Sequence, residues 1–335
     1  MLGHHAVYSL LIVSAAHIGP VVSSAGDGSP YFRECQQECV DKFDCPMSDV
    51  AFGWTQKLCF DCRQSCIWST VELFKKHGQP TTQFFGKWPF HSISLQFLQY
   101  SIVIQEPASA FFSVLNLSGC LYMYNMIKNM SKRAPLRSIW LAYASLGVAT
   151  WICSTIFHCR DFWLTEYLDY FAAAAIVFYA FFVSIMFTMQ VFWRVKVLRY
   201  TLIVAVLYSY YRFVSYLFLR PRFDYGFNMR VCLGLSFTTA AIYLLYIYNE
   251  YQQHRFRPSL KILLYILLIG LLSSSLEILD FPPILYSQID AHALFHLATV
   301  PTPFMLAKFA VSEYEWQTEN SNLNSLNLNF RTKQL

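Results

Sequence analysis

Five side chains in three short stretches of the sequence have the types and spacing that metal-dependent hydrolysis requires. They are Ser154 and His158 in STIFHCRD, Asp169 in LTEYLDYF, and His292 and His296 in DAHALFHLA. Residues four apart lie on one face of a helix, so each of the two spaced pairs would point in one direction. Three imidazoles with a fourth position left to water form the ligand set of a catalytic zinc ion.

Each histidine also has a simpler explanation when it is taken alone. A single histidine among apolar residues is more often a buried, hydrogen-bonded core residue than a ligand. That explanation does not account for all five polar side chains at once. The sequence therefore indicates a metal site, provided that the fold brings these residues together.

Composition indicates a membrane protein. Of the 335 residues, 56% are hydrophobic and only 13% are charged, whereas soluble domains carry about 25% charged residues. The net charge of +5 comes from short basic clusters between apolar runs, as in the loops of membrane proteins. It gives no sign of nucleic-acid binding, so we expect an all-α membrane protein.

From about residue 93 the sequence contains seven apolar runs, each close to the roughly 20 residues that span a bilayer. They predict a seven-transmembrane helix bundle over residues 93–312, with spans near 108–127, 138–158, 169–190, 200–219, 229–248, 260–279 and 291–311. Residues 93–105 are too few for a span, so they either lie in the membrane interface or lengthen the first helix. Residues 313–335 are polar and rich in Asn, which predicts a disordered tail.

The amino-terminal part has the pattern of an exported, disulfide-rich segment. The apolar run Ala6–Ala16, followed by small residues at Ser23 and Ala25, predicts a signal peptide over residues 1–25. An uncleaved anchor is the alternative. Residues 26–92 are polar, and their even number of cysteines indicates disulfide bonds in an oxidising lumen: Cys35, Cys39, Cys45, Cys59, Cys62 and Cys66.

The spacing of these cysteines suggests a pairing. Cys35 and Cys39 are four residues apart, and so are Cys62 and Cys66. Two short helices could therefore be joined by nested bridges, Cys35 to Cys66 and Cys39 to Cys62. A rival interpretation treats Cys59 and Cys62 as a zinc-binding or redox CxxC pair.

Loop charges predict the orientation of the bundle. Alternate connections are basic, and the positive-inside rule places them in the cytosol: Lys128, Lys132, Arg133 and Arg137, then Arg194, Lys196 and Arg199, then Arg255, Arg257 and Lys261. The cysteine-rich segment is then lumenal and the carboxyl end cytosolic. All five chemically capable side chains fall at the lumenal ends of their helices, at the depth of lipid ester carbonyls.

Other acidic residues are weaker candidates. Asp161 and Asp290 each lie within three residues of a histidine and could orient its imidazole, although a solvated loop charge explains either residue. Glu106, Glu277 and Asp280 lie at membrane boundaries, where helix capping or bonding between helices accounts for them.

Seven stretches are similar to those of a known family: GKWPF, QEPASA, STIFHCRD, LTEYLDYF, RFDYGFN, LDFPP and DAHALFHLATVP. Over roughly residues 30–312 the chain resembles the Per1-like family, a branch of the CREST superfamily of seven-helix metal hydrolases. The resemblance implies remodelling of the glycosylphosphatidylinositol (GPI) anchor. The expected reaction is phospholipase A2-type removal of the unsaturated sn-2 acyl chain from GPI-anchored proteins.

The resemblance also implies a role for each of the five side chains. His158, His292 and His296 would bind Zn²⁺. Asp169 would act as general base and acid, and Ser154 would orient the water or stabilise the oxyanion. Ser154 as an acylated nucleophile is the alternative, but no histidine remains to activate it once three bind metal.

Two functions of other classes stay open. A receptor or assembly factor could keep the zinc site as a structural clamp, although such a site would not need Asp169 and Ser154. A metal transporter is disfavoured because no continuous polar path crosses the bundle. We expect the enzyme in the Golgi membrane, since the polar tail carries no retrieval signal, with the endoplasmic reticulum membrane as the alternative.

Overall fold

The computed structural model describes residues 24–97, 100–220, 223–253 and 255–332. The predicted signal peptide, except for its last two residues, lies outside the described residues. The described chain forms two compact units, of which one contains residues 24–47 and 58–89 and the other contains residues 48–57 and 90–332.

The cysteine-rich unit is built on two helices. Helix α1, Pro30–Phe43, begins where the Ser29 side chain accepts a hydrogen bond from the backbone N–H of Phe32, and it ends at Asp44 in the left-handed conformation. Helix α2 spans Lys57–Lys76. A proline at the first helical position and a short polar residue before it are typical of a helix start.

Three disulfide bonds join these helices and the loop between them: Cys35–Cys66, Cys39–Cys62 and Cys45–Cys59. The first two confirm the nested pairing predicted from the spacing of four. Because Cys59 and Cys62 each bond a partner outside the CxxC pair, the zinc or redox interpretation of that pair is wrong. The sulfur atoms of Cys39, Cys62 and Cys66 lie close together, but a bridged sulfur has no thiolate to offer a metal.

Seven helical segments of the described chain are long and apolar enough to cross a membrane, as predicted. Along the chain the helices are α3 (Pro107–Asn129), α4 (Arg137–Cys159), α5 (Trp163–Thr188), a short α6 (Gln190–Arg194), α7 (Lys196–Phe218), α8 (Tyr225–Gln252), α9 (Pro258–Leu279), α10 (Ala291–Thr299) and α11 (Pro301–Thr332). Helices α10 and α11 together form the seventh span.

Two helix boundaries differ most from the sequence prediction. Helix α5 begins at Trp163 rather than near 169, so Asp169 lies in its second turn. Helix α11 continues past residue 313, where a disordered tail was predicted, and ends at Thr332. In both cases the helix extends beyond the apolar run into polar residues, because each added residue continues the hydrogen-bonded turns that are already formed.

Residues 93–105 form neither a span nor an extension of the first helix. They contain a β-hairpin of strands β1, Ile93–Phe97, and β2, Tyr100–Ile104. The strands pair antiparallel, with Ile93 opposite Ile104. Alternating apolar and polar residues, rather than a helical period, explain this structure.

The seventh span is broken between α10 and α11. The N–H of Val300 bonds to the carbonyl of Leu297 at 3.2 Å, and Pro301 has no N–H with which to continue the helix. The carbonyl of His296 is thereby released, and the side-chain amide of Asn116 donates to it at 2.7 Å. The break therefore ties the start of the seventh span to α3.

Helices α3 and α11 approach each other closely just beyond this break. A Cβ atom on Gly119 would lie 2.5 Å from Cγ of Pro303, well inside van der Waals contact. Farther along the bundle, the Trp140 ring packs against the rings of Phe187 and Phe309, with centroids 6.2 and 6.1 Å away. These contacts fix α11 against α3, α4 and α5.

A buried ionic cluster joins α8, α9 and α11. The Arg257 guanidinium donates to Glu313, to Glu250 and to the hydroxyl of Tyr246, and it lies over the Trp316 ring at 3.8 Å. Burial acts to lower the pKa of Arg257, but the hydrogen bonds to both glutamates outweigh it and raise that pKa. The cluster thus joins these three helices through charged hydrogen bonds.

Candidate metal centre

The structure brings the five predicted side chains together. His158 lies in the last turn of α4 with Ser154 one turn earlier, Asp169 lies in the second turn of α5, and His292 and His296 lie on α10. The centroids of the three imidazole rings are 4.5, 4.9 and 5.4 Å apart. We call the end of the bundle where α4 ends and α5 and α10 begin the site end.

The three imidazoles turn their Nε2 atoms inward. The Nε2 atoms of His292 and His296 are 3.0 Å apart. Nε2 of His158 is buried and has no hydrogen-bond partner in the described part of the chain. One ligand nitrogen from each ring lies within 4.8 Å of the others, which is close enough for one ion to reach all three.

Two of the imidazole rings form a hydrogen bond to a carboxylate through Nδ1, the nitrogen that faces away from the other rings. Nδ1 of His158 lies 2.7 Å from Oε2 of Glu106, and Nδ1 of His292 lies 2.6 Å from Oε1 of Glu277. A carboxylate accepts hydrogen bonds, so each Nδ1 carries the proton. The Nε2 atom of each ring is then left with a free lone pair.

Ser113 does the same for the third ring. Its hydroxyl donates to the carbonyl of Ser109 at 2.7 Å and lies 2.9 Å from Nδ1 of His296. Since the hydroxyl hydrogen is already used, Ser113 accepts a hydrogen bond from that nitrogen. All three histidines thus direct a lone pair toward one point.

This arrangement fits a zinc ion. With each ring neutral and protonated on Nδ1, all three Nε2 lone pairs are free, and the 3.0 Å approach of His292 to His296 is a hydrogen bond only when one of these rings carries a second proton. A cation at that point would bind all three nitrogens. Nitrogen donors whose outer N–H groups bond carboxylates are the usual zinc-site pattern, and the nearby carboxylates offset the charge of a dication.

Asp169 and Ser154 lie together beside the histidines. Asp169 is 8% exposed and Ser154 is 3% exposed. The Ser154 hydroxyl lies near the Asp169 carboxylate, and its Oγ lies 3.2 Å from Oγ of Ser113. Two neighbouring hydroxyl groups, those of Ser154 and Ser113, therefore lie between the Asp169 carboxylate and the ring of His296.

The imidazole partners are not those that the sequence suggested. Glu106 takes the position proposed for Asp161, and Glu277 takes the position proposed for Asp290. The Asp290 carboxylate instead caps α10 by accepting from the N–H of Ala293 at 2.7 Å. Burial raises the pKa of Asp290.

Sequence reasoning assigned Glu106 and Glu277 to capping or helix contacts. One signal could have identified them. Both are ionisable residues at the boundary of an apolar span, where a charge is expensive unless it has a partner. Ser113, inside an apolar helix, carried no such signal.

The site is partly exposed at His292 and Glu277. The side chain of His292 is 37% exposed and that of Glu277 is 20% exposed, whereas His158 and His296 are almost fully buried. The ring of Trp151 packs edge-on against the ring of His296, with the two centroids 5.2 Å apart. A substrate would therefore reach the centre past His292.

Comparison with known proteins assigns the family. A sequence profile of the Per1-like family matches residues 46–314, which include the whole site. The chain belongs to the Per1-like family. The assignment confirms the resemblance seen in the sequence stretches.

Curated relatives match this Per1-like chain over most of its length. It is 32% identical to "GPI-specific phospholipase A2-like PGAP3" of Danio rerio, covering 91% of this chain and 95% of the relative. It is 32% identical to "Post-GPI attachment to proteins factor 3" of Drosophila melanogaster, with 88% and 90% covered. The Homo sapiens PGAP3 relative is 30% identical, with 89% and 92% covered. No solved structure matches the chain significantly.

Proposed function

We propose that this protein hydrolyses the sn-2 acyl ester of the lipid in GPI-anchored proteins, in a zinc-dependent, phospholipase A2-type reaction. The observation that carries the proposal is the convergence of three histidine Nε2 atoms beside the Asp169 carboxylate. The names of the curated relatives support the GPI lipid as substrate.

His158, His292 and His296 would hold the zinc ion through Nε2. Bound zinc lowers the pKa of a water molecule and polarises a carbonyl group. Glu106 and Glu277 keep the protons of their partner rings on Nδ1, so these rings stay neutral ligands. The ester carbonyl would enter past the partly exposed His292.

Asp169 handles the proton in this reaction. Its carboxylate accepts a proton from the attacking water while the new bond forms between the water oxygen and the ester carbonyl carbon. It then returns that proton to the glycerol oxygen as the ester C–O bond breaks. The products are a free fatty acid and a lipid with one acyl chain fewer.

Ser154 positions the reactants. Its hydroxyl lies near the Asp169 carboxylate and 3.2 Å from the hydroxyl oxygen of Ser113. From there it orients the water or donates to the oxyanion. A nucleophilic role for Ser154 needs a base of its own, and the three imidazoles each have both nitrogens committed to the zinc site.

We further propose that the site end faces the lumen of the Golgi. Support comes from the basic residues near the opposite ends of the helices, such as Lys128 and Arg137 at the connection of α3 to α4, because cytosolic loops are enriched in Lys and Arg. The disulfide bonds of the cysteine-rich unit also require an oxidising compartment.

Rescue of cells that lack the endogenous factor tests the proposal. The readout is the sn-2 acyl composition of GPI anchors by mass spectrometry, together with the zinc content of each purified protein. Wild type and Asp161→Asn should restore the saturated sn-2 chain. Asp169→Asn should keep zinc but fail to rescue, and His292→Ala should lose both.

The result that would overturn the hydrolase is rescue by Asp169→Asn at wild-type level. The zinc site would then serve a receptor or assembly factor as a structural clamp. Normal expression and localisation of each variant are measured in parallel, so that misfolding is recognised as such.

A further inference from the structure

Two uncharged segments at the site end leave apolar side chains uncovered. The first is the β-hairpin, and the second is the loop of residues 281–289 between α9 and α10. Neither His91–Gln105 nor 281–289 contains Asp, Glu, Lys or Arg. A surface that faces water normally mixes many charged residues with its apolar residues. This composition therefore indicates that the two segments do not simply face water.

The hairpin is amphipathic. Ile93 and Leu95 on β1 face Ile104 and Ile102 on β2 in the antiparallel register. Alternate residues of a strand point to opposite faces, so these four lie on one face and Ser94 lies on the other. Ile93, Leu95 and Ile102 are 44%, 51% and 49% exposed, which shows that the chain leaves this apolar face uncovered.

The loop presents a second apolar group. Ile284, Leu285 and Tyr286 are 51%, 64% and 92% exposed. Leu285 and Tyr286 have φ angles of 48° and 59°, in the left-handed region that costs energy for residues with a side chain. The loop holds this costly conformation while it turns large apolar side chains outward.

Hydrogen bonds connect the two segments. The side-chain amide of Gln288 donates to the carbonyl of His91 at 2.6 Å, and the N–H of His91 points to the carbonyl of Ser287 at 3.4 Å. His91 directly precedes the hairpin. We call the exposed side chains of the two segments the apolar rim: Ile93, Leu95, Ile102, Ile284, Leu285 and Tyr286.

The apolar rim borders the metal centre on two sides. Strand β2 runs directly into Glu106, the partner of His158, and the Glu106 N–H bonds to the carbonyl of His158 at 3.0 Å. The loop lies between Glu277 and His292, the exposed histidine. Both segments of the rim therefore adjoin residues of the site.

We propose that the apolar rim inserts into the lipid leaflet at the site end and holds the entrance of the centre at the level of the lipid esters. The rim is continuous in sequence with membrane-spanning α3, α9 and α10, so its apolar surface extends the surface that the bilayer already covers. Unpaired backbone groups of hairpin edges are costly in hydrocarbon. The rim thus lies at the headgroup boundary, at the roughly 5–10 Å depth of interfacial segments.

Fluorescence quenching in lipid nanodiscs tests this insertion. The full chain is reconstituted in phosphatidylcholine with one fluorescent non-canonical residue at position 95, 102 or 285, and with matched controls at Ser94 and Gln96 on the opposite face. Labels on the rim should be quenched several-fold more by nitroxide-bearing lipid than by aqueous iodide. Labels on the opposite face should show the reverse order.

Two results would overturn the proposal. Rim labels that iodide reaches as readily as the controls would place the rim in water. Rim labels shielded from both quenchers would show that a second copy or another protein covers the rim.

A measurement on the unmodified chain avoids any dependence on the labels. A phosphatidylcholine with a photoreactive group near its glycerol should label peptides from 91–105 and 281–289, and labelling of α7 alone would contradict insertion. Insertion does not depend on hydrolysis. An inactive protein with an inserted rim would refute the proposed function and leave this inference intact.

Discussion

At the scale of single residues, the partners of the histidines determine what the site can bind. Imidazole Nε2 is a metal ligand only when the proton stays on Nδ1. Glu106, Glu277 and Ser113 each hold one Nδ1 proton in place. Removing a partner leaves the ligand present but free to turn or to change its tautomer.

We predict that Glu277→Gln and Glu106→Gln each weaken zinc binding by about 10- to 100-fold, the usual effect of losing such a partner. The amide keeps the size of the side chain but loses its charge. Competition with a chelator measures the affinity, and the visible spectrum of the cobalt-substituted protein reports the ligand geometry. A purely structural role for the glutamates would leave both unchanged.

The matched control is Asp280→Asn, because Asp280 is an exposed acid close to Glu277 that follows the end of α9. Its zinc affinity should equal that of wild type. Equal losses in Asp280→Asn and Glu277→Gln would show that the metal responds only to net charge at the site end.

The histidines could be recognised from sequence, but their partners could not. A spacing of four places His292 and His296 on one helix face whatever the rest of the fold does. Glu106 and His158 lie 52 residues apart, and their contact depends on how α3 and α4 pack. No local pattern reports such packing, so the sequence offered as a partner for His158 only the nearby Asp161, for which a solvated loop charge was an available explanation.

At the scale of elements, the contact of α3 with α11 sets the position of α10. The break at Pro301 separates the metal ligands from the long helix that follows, and Gly119 lets that helix approach α3. The hydrogen bond of Asn116 to the His296 carbonyl then joins α10 to the same face of α3. A change in packing at Gly119 should therefore shift the positions of the metal ligands on α10.

We predict that Gly119→Ala destabilises the protein by about 1–3 kcal/mol, the usual cost of adding a methyl group to a filled interface. Its new Cβ would meet Cγ of Pro303 at 2.5 Å. Thermal unfolding in detergent measures the change. Gly270→Ala is the control, since nothing lies within 4 Å of its added Cβ.

The control should be neutral or should stabilise the protein by up to about 1 kcal/mol, because Ala favours the helix more than Gly does. A Gly119→Ala protein as stable as wild type would show that α3 and α11 can separate without cost.

Helices and disulfide bonds could be predicted where a pattern of neighbouring residues determines them. The apolar runs determine the seven spans, and the spacing of Cys35, Cys39, Cys62 and Cys66 determines two of the bridges. The hairpin was missed because its alternation is short and rich in apolar residues, so its composition resembles that of a helix end. The third bridge, Cys45–Cys59, joins α2 to the loop before it. Because Cys45 lies outside both helices, residue spacing does not predict which cysteines meet.

At the scale of the whole molecule, the ionic cluster of Arg257, Glu250 and Glu313 holds three helices together at the end opposite the site end. Charges taken out of water stabilise a fold only while each keeps its partners. Arg257 bonds to both glutamates and is 4% exposed. A single substitution therefore leaves a buried charge without compensation.

We predict that Arg257→Met lowers stability by about 3–5 kcal/mol, the usual cost of breaking a buried charge pair. Arg255→Met is the control. Arg255 also pairs with Glu250, but its side chain is 47% exposed, so its loss should cost no more than about 1 kcal/mol. Denaturation curves for the two variants should separate clearly, and coincident curves would refute the buried cluster as a stabilising contact.

The order of the ligands along the chain has a consequence for biosynthesis. His158 belongs to the second membrane span, and the other two histidines belong to the seventh. A nascent chain inserted span by span therefore carries one ligand until its last helix enters the bilayer. The three-histidine centre, with any chemistry that depends on it, can form only after the seventh span has been inserted.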